Sequence, residues 1–160
     1  MSDEKKFTET EAHYLFATDF HGRTWDLLDL PVRTREDDER MLDYAYASQA
    51  HWRFIGTALH HERSEWMLAR VYAVLGRPEA CLQHARRCME LLEEHKSEME
   101  DFDFAFAPEA LARAYAIAGN KPEALKYIQM AENAGEAIKK QDDRDTFFHQ
   151  FKSGNWNGIK

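Results

Sequence analysis

Leu68-Ala69-Arg70-Val71-Tyr72-Ala73-Val74-Leu75-Gly76 returns, without a gap, as Leu111-Ala112-Arg113-Ala114-Tyr115-Ala116-Ile117-Ala118-Gly119. A repeated helical unit cannot bury its apolar face alone, so it stacks on a copy of itself. The match continues past the glycines. Gly76-Arg77-Pro78-Glu79-Ala80-Cys81-Leu82 aligns with Gly119-Asn120-Lys121-Pro122-Glu123-Ala124-Leu125, Ala85 meets Ile128, and Cys88 meets Ala131. Each unit therefore reads as helix, glycine turn, helix. Gly76 and Gly119 stop the first helix as C-terminal caps would, and Pro78 and Pro122 open the second, where a missing N–H is harmless. Small residues along the second helix allow close approach of a neighbour.

Outward from this core the helical pattern continues. Thr8-Glu9-Thr10-Glu11 has the form of a capping box. It predicts a helix to about Asp29 with Tyr14, Leu15, Phe20, Trp25 and Leu28 buried. Thr34-Arg35-Glu36-Asp37 caps a second helix carrying Leu42, Ala45, Trp52, Ile55 and Leu59 at helical spacing. Gly56 and the polar run His60 to Ser64 mark its end, and the first repeat helix follows from about Arg63. The fourth helix runs from Pro78 to about Lys96. Asp103 is the expected cap of the fifth helix. Pro108 fits only a first turn, so the start is set near Phe104. The sixth runs from Pro122 to about Lys140, and a short seventh spans Asp142 to Phe151. Ser153 to Gly158 reads as coil. No low-complexity linker divides the chain. The expectation is one all-α domain of about seven helices in stacked antiparallel pairs. Residues 9–60 form a diverged N-terminal pair, 63–97 and 103–140 the two repeat units, and 142–151 a capping helix.

The repeat resembles the tetratricopeptide repeat family, which pairs a Leu and a small residue with Tyr, Gly and two spaced small residues. Here these are Leu68, Ala69, Tyr72, Gly76, Cys81 and Cys88, then Leu111, Ala112, Tyr115, Gly119, Ala124 and Ala131. The resemblance covers about Arg63 to Ile138 and implies an α-α superhelix that binds proteins or peptides in a concave groove. The whole chain also looks like small bacterial proteins of this type, a likeness that implies no activity. Departures are visible. Pro108 replaces the family's large aromatic in the second unit, Trp66 sits one place off in the first, and the terminal Pro is absent from both. The spacing exceeds the family's ~34 residues, with the surplus in Glu93 to Asp101, which argues against a regular superhelix.

By the same resemblance, Arg70 and Arg113 face the groove, flanked by Trp66 and Arg63 in one unit and Phe106 and Glu109 in the other. Two guanidiniums on one surface can grip a carboxylate. That implies a non-enzymatic module holding an acidic or C-terminal peptide segment. The competing reading is that each arginine pairs with internal carboxylates such as Glu109.

Cys81, His84 and Cys88 lie near one helix face, a spacing compatible with zinc. Yet the cysteines fill the slots of Ala124 and Ala131, and His84 matches Tyr127, so they read as packing residues. A second alternative is a bundle protein with a metal or small-molecule site among His13, His51, His61 and Glu65. Neither Glu-x-x-His nor His-x-x-x-His occurs, however. Phosphate loops, Gly-x-Ser-x-Gly and Cys-x-x-Cys are also absent, so no catalytic residue and no cofactor is assigned.

Phe102, Phe104 and Phe106 read as plugs for the long inter-unit gap, and Phe147, Phe148 and Phe151 as an end cap. If that cap is traded between subunits, a homodimer results, with Trp156 the residue to watch; a self-associating structural subunit is the third alternative. The net charge of −8 argues against nucleic acid or an anionic membrane as partner. No apolar run nears the ~20 residues of a membrane span. Met1 to Lys6 lacks an apolar leader core, so a cytoplasmic protein is expected.

Overall fold

The computed structural model describes residues 4–160, so the first three residues of the polar N-terminus lie outside it. Seven α-helices follow one another: α1 (Glu9–Leu28), α2 (Arg35–Ile55), α3 (Ala58–Val74), α4 (Pro78–Glu94), α5 (Asp103–Ile117), α6 (Lys121–Glu136) and α7 (Gln141–Lys152). A 3-10 turn at Lys96–Glu98 precedes α5, and no strand occurs among the described residues. Short connections pair α1 with α2, α3 with α4, and α5 with α6 as antiparallel hairpins. The hairpins stack through α2 on α3 and α4 on α5, with α3 also against α5, and α7 closes on α5 and α6.

The repeat survives as geometry. Gly76 and Gly119 have φ of 68° and 78°, a left-handed conformation that glycine adopts without a Cβ penalty. The N–H of Gly76 reaches Ala73 and that of Arg77 reaches Tyr72; Gly119 and Asn120 repeat the pattern on Ala116 and Tyr115. This is the Schellman arrangement in both units. Tyr72 stacks on His84 at 5.5 Å and Tyr115 on Tyr127 at 5.7 Å, nearly parallel in each case. Cys81, Ala85 and Cys88 are fully buried, as are Ala124 and Ala131 in the second unit. Both cysteines are free, and burial pushes the Cys81 thiol up to about 12, so they act as small packing residues.

Several boundaries differ from expectation. Helix α3 starts at Ala58 rather than near Arg63, because His60 turns inward as a cap. Its Nδ1 accepts the Thr57 N–H at 3.1 Å, and its ring stacks on Trp52 at 4.1 Å. The polar run His60 to Ser64 is thus helical, and Leu59 belongs to α3. Pro108 sits in the second turn of α5, not the first. The start is fixed at Asp103, whose carboxylate takes both the Glu100 N–H and the Arg63 guanidinium. Helices α4 and α6 end slightly early, at Glu94 and Glu136.

Tyr14 and Leu15 were expected inside but are exposed, since the outer side of the first hairpin has no neighbouring layer. The tail is not loose coil. Trp156 is buried, donates its indole N–H to the Phe151 carbonyl at 3.0 Å, and packs edge-on against Phe151. It is thus packed on the end cap of its own chain. Phe147 and Phe151 are buried as the end cap, and Gly135 of α6 makes room for the Phe147 ring.

Candidate functional site

The inner wall of the stack is built from α1, α3, α5 and α7, and its centre is a buried charge cluster. Arg113 directs Nε at Glu109 Oε1, one helical turn back on α5. Its Nη1 donates to the Ser153 carbonyl at 2.8 Å and its Nη2 to the Gln150 carbonyl at 2.6 Å. These carbonyls end α7, where backbone oxygens lack intrahelical partners and carry partial negative charge. The Trp156 ring lies 4.2 Å from the same guanidinium. Arg113 therefore spends every nitrogen on its own chain and latches the C-terminal segment to the stack.

Arg70 occupies the equivalent slot but is used differently. Its Nη1 lies 3.8 Å from Glu109 Oε1, too long for a hydrogen bond. Only Nη2 hydrogen-bonds, to Gln150 Oε1 at 3.3 Å and Ser153 Oγ at 3.0 Å. Its side chain is only 10% exposed. Burial, then repulsion from Arg113, pulls its pKa down to about 10, with Glu109 opposing the shift. Two buried guanidiniums thus share one carboxylate, leaving an excess of positive charge.

That charge faces a cavity of about 580 Å³ lined by Trp25, Asp29, Arg33, Arg70, Arg113 and His149 among others, a size typical of small-ligand sites. Arg33 is engaged with Asp38 at 2.8 Å. Asp29, at the end of α1, enters no ion pair among the described residues. Gly154 approaches so closely that a Cβ there would stand 2.8 Å from Arg113 Nη1.

The flanking residues named from the sequence split between this cavity and its neighbour. Trp66 donates its indole N–H to Glu109 Oε2 at 3.0 Å and stacks on Trp25 at 5.8 Å. Arg63 turns away to make a fork with Asp103, both bonds at 3.0 Å, and lies over Phe102 at 4.8 Å. Phe106 packs edge-on against Trp66 at 5.2 Å and Phe147 at 5.0 Å. Trp66, Phe102 and Phe106 wall a second cavity of about 380 Å³ that shares Trp25 and Gln150 with the first. Glu62 forms part of its wall; burial pushes that carboxyl up to about 8, and its Oε2 has no hydrogen-bond partner.

The four residues of the metal alternative do not converge. His13 and His51 meet at 2.8 Å between ring nitrogens, His61 reaches the Trp52 carbonyl at 3.3 Å, and Glu65 lies with His84 instead. Among the described residues no group of three or more His, Cys, Asp or Glu is placed to hold a metal ion.

Sequence reading missed two features. Gln150 and Ser153 carried no signal, because they contact Arg70 across about eighty residues of chain. A polar chain also ties α2, α3 and α4 together. Gln49 donates to Glu65 Oε1 at 3.0 Å, Glu65 Oε2 meets His84 Nδ1 at 2.6 Å, and His84 Nε2 meets the Tyr46 hydroxyl at 3.2 Å. Tyr46 in turn reaches Tyr72 at 2.8 Å. Burial holds the Tyr46 phenol above its ordinary range, that is, neutral. With every member partnered, the chain works as a lock between helix layers.

Compared with family models, curated proteins and solved structures, the chain gives no match. No helix is long and apolar enough to cross a membrane among the described residues.

Proposed function

We propose that the protein is a non-enzymatic binding module of tetratricopeptide-like type that takes a carboxylate-bearing protein or peptide segment on the inner wall of its helix stack. The two repeat units, each with the same ring stack and the same glycine cap, support the family likeness. The observation that carries the function is Arg70: a buried guanidinium beside a cavity, hydrogen-bonded through one nitrogen only and short of countercharge. An arriving carboxylate supplies that charge and accepts from the unused N–H groups. Arg113 has a supporting part, because its donors are committed to Glu109 and the tail.

Trp25 lines the cavity and reports on occupancy by its fluorescence. The test titrates a peptide library with free C-terminal carboxylates against the same library amidated. The expected result is saturable quenching by the carboxylate form only, lost in Arg70→Met with the fold intact. Equal response to both forms, or no effect of Arg70→Met, overturns the proposal.

A self-association reading rests on a separate observation. Phe16 and Phe54 are exposed on the first hairpin and are brought together over the His13–His51 pair, Phe54 stacked on His13 at 4.2 Å and Phe16 set 5.3 Å from His51, a grouping of exposed apolar rings of the kind that marks an interaction surface. Sedimentation velocity checks it: a homodimer that Phe54→Ser abolishes is expected on this reading, and a monomer at high concentration counts against it.

A further inference from the structure

The cavity beside Arg70 is not uniformly cationic. The ends of three helices open onto it: Asp29 caps α1, Gly76 follows the last turn of α3, and Ser153 caps α7. The caps take up several of the last carbonyls, among them Trp25, Leu27, Tyr72 and Ala73, but those of Leu28 and Val74, which line the cavity, accept no hydrogen bond among the described residues, and each helix end carries the negative pole of the macrodipole. Neither α1 nor α3 has a basic residue in its last turn to offset that charge. The Asp29 carboxylate adds to it and is free of ion pairs among the described residues, since Arg33 is held by Asp38 and the other two arginines by Glu109. One part of the cavity wall is therefore short of anions and another part short of cations.

We propose that this cavity binds a small zwitterion, such as a free dipeptide or amino acid, with its carboxylate on Arg70 and its ammonium at Asp29 and the carbonyl ends of α1 and α3. The inference rests on the carboxylate reading above and narrows it from a peptide segment to a ligand carrying both charges. A simple anion satisfies Arg70 but leaves the Asp29 side unmatched. A simple cation meets the repulsion of the two guanidiniums. A zwitterion of this size answers both. The volume of about 580 Å³ accommodates a dipeptide, and the Trp25 indole offers a flat apolar wall for its side chain.

The test uses three forms of one probe, glycyl-phenylalanine, on the full chain by calorimetric titration and Trp fluorescence. They are the free dipeptide, its N-acetyl derivative with the carboxylate alone, and its amide with the ammonium alone. The dipeptide is expected to bind about fivefold or more tighter than the N-acetyl form. Asp29→Asn, at an exposed site where the fold is not at stake, is expected to erase that preference without weakening the N-acetyl form. N-acetyl binding as tight as the dipeptide overturns the zwitterion and leaves the carboxylate reading standing. An amide that binds as well as the dipeptide overturns both, and so does binding by none of the three.

Discussion

Trp66 hydrogen-bonds Glu109, the residue that fills its own place in the second repeat unit, at 3.0 Å. The pair shows how two copies of one motif came to differ. The first unit keeps an aromatic ring there, which stacks on Trp25. The second substitutes a carboxylate, fully buried, that accepts from Trp66 and anchors the Arg70 and Arg113 guanidiniums. The departure from repeat symmetry is what makes two like charges tolerable on the inner wall.

Removing that carboxylate is therefore expected to be severe. Glu109→Gln leaves two buried guanidiniums without countercharge, a situation that costs about 3–5 kcal/mol. Adding Arg70→Met relieves the repulsion, so the double variant is expected to be more stable than Glu109→Gln alone. Urea denaturation of the four members of this cycle measures the coupling. A double variant no more stable than Glu109→Gln counts against a shared charge.

The two arginines are expected to separate by role. Arg113→Met strips three contacts and strands Glu109, and is expected to cost about 3 kcal/mol or more. It also loosens the tail, so hydrogen exchange at Phe151 and Trp156 is expected to rise. Arg70→Met loses only two longer bonds while lifting a desolvated charge, and is expected to change stability by less than about 1 kcal/mol. Equal costs would contradict the division of a structural arginine from a binding one.

The fold was legible because its signals are local. Glycine caps, prolines at helix starts and small residues on the second helices each act within a turn or two, and the repeat gave every one of them twice. The pairing of Arg70 and Arg113 with Glu109 was open in the sequence as one of two readings. In the structure Arg113 takes the internal pairing with Glu109, while Arg70 stands 3.8 Å from that carboxylate and keeps unused donors beside the cavity. Gln150 and Ser153 were not legible, because their role arises only when α7 folds back. Nor was the start of α3, where an inward histidine does the work of a usual cap. The exposure of Tyr14 and Leu15 was misjudged for a related reason: a helical stripe marks a face that can be buried, not whether another layer arrives to bury it.

Docking of α7 hinges on Gly135. A Cβ there would stand 2.6 Å from Phe147 Cδ1 and 3.0 Å from Phe148 Cζ. Gly135→Ala is expected to cost about 1–3 kcal/mol by overpacking and to alter the near-ultraviolet dichroism of the aromatic cap. Gly22, exposed on α1 with nothing within 4 Å of a Cβ, is the control. Gly22→Ala is expected to stabilise by about 0.5–1 kcal/mol through helix propensity. A reversed order in thermal melts would remove the close contact of α6 with α7 from the account of the cap.

Glu62 makes stability depend on pH in an uncommon direction. An ordinary carboxyl of this type titrates at 4.5, but burial raises Glu62 to about 8 in the folded protein. Below the unfolded value both states hold the proton and the group costs nothing. As pH rises above it, the unfolded chain releases the proton while the folded one keeps it. Stability therefore falls with pH until the folded value is passed, and then levels. The lost stability is on the order of a few kcal/mol. Glu62→Gln removes the titration, so its melting temperature relative to the parent is expected to climb steadily between about pH 5 and pH 8. The amide oxygen can still accept from the Cys88 thiol that now bonds Glu62 Oε1 at 3.1 Å, which limits other losses. A constant offset between the two melting curves across that window would mean that Glu62 titrates like an exposed carboxylate and that the apolar wall beside it admits water.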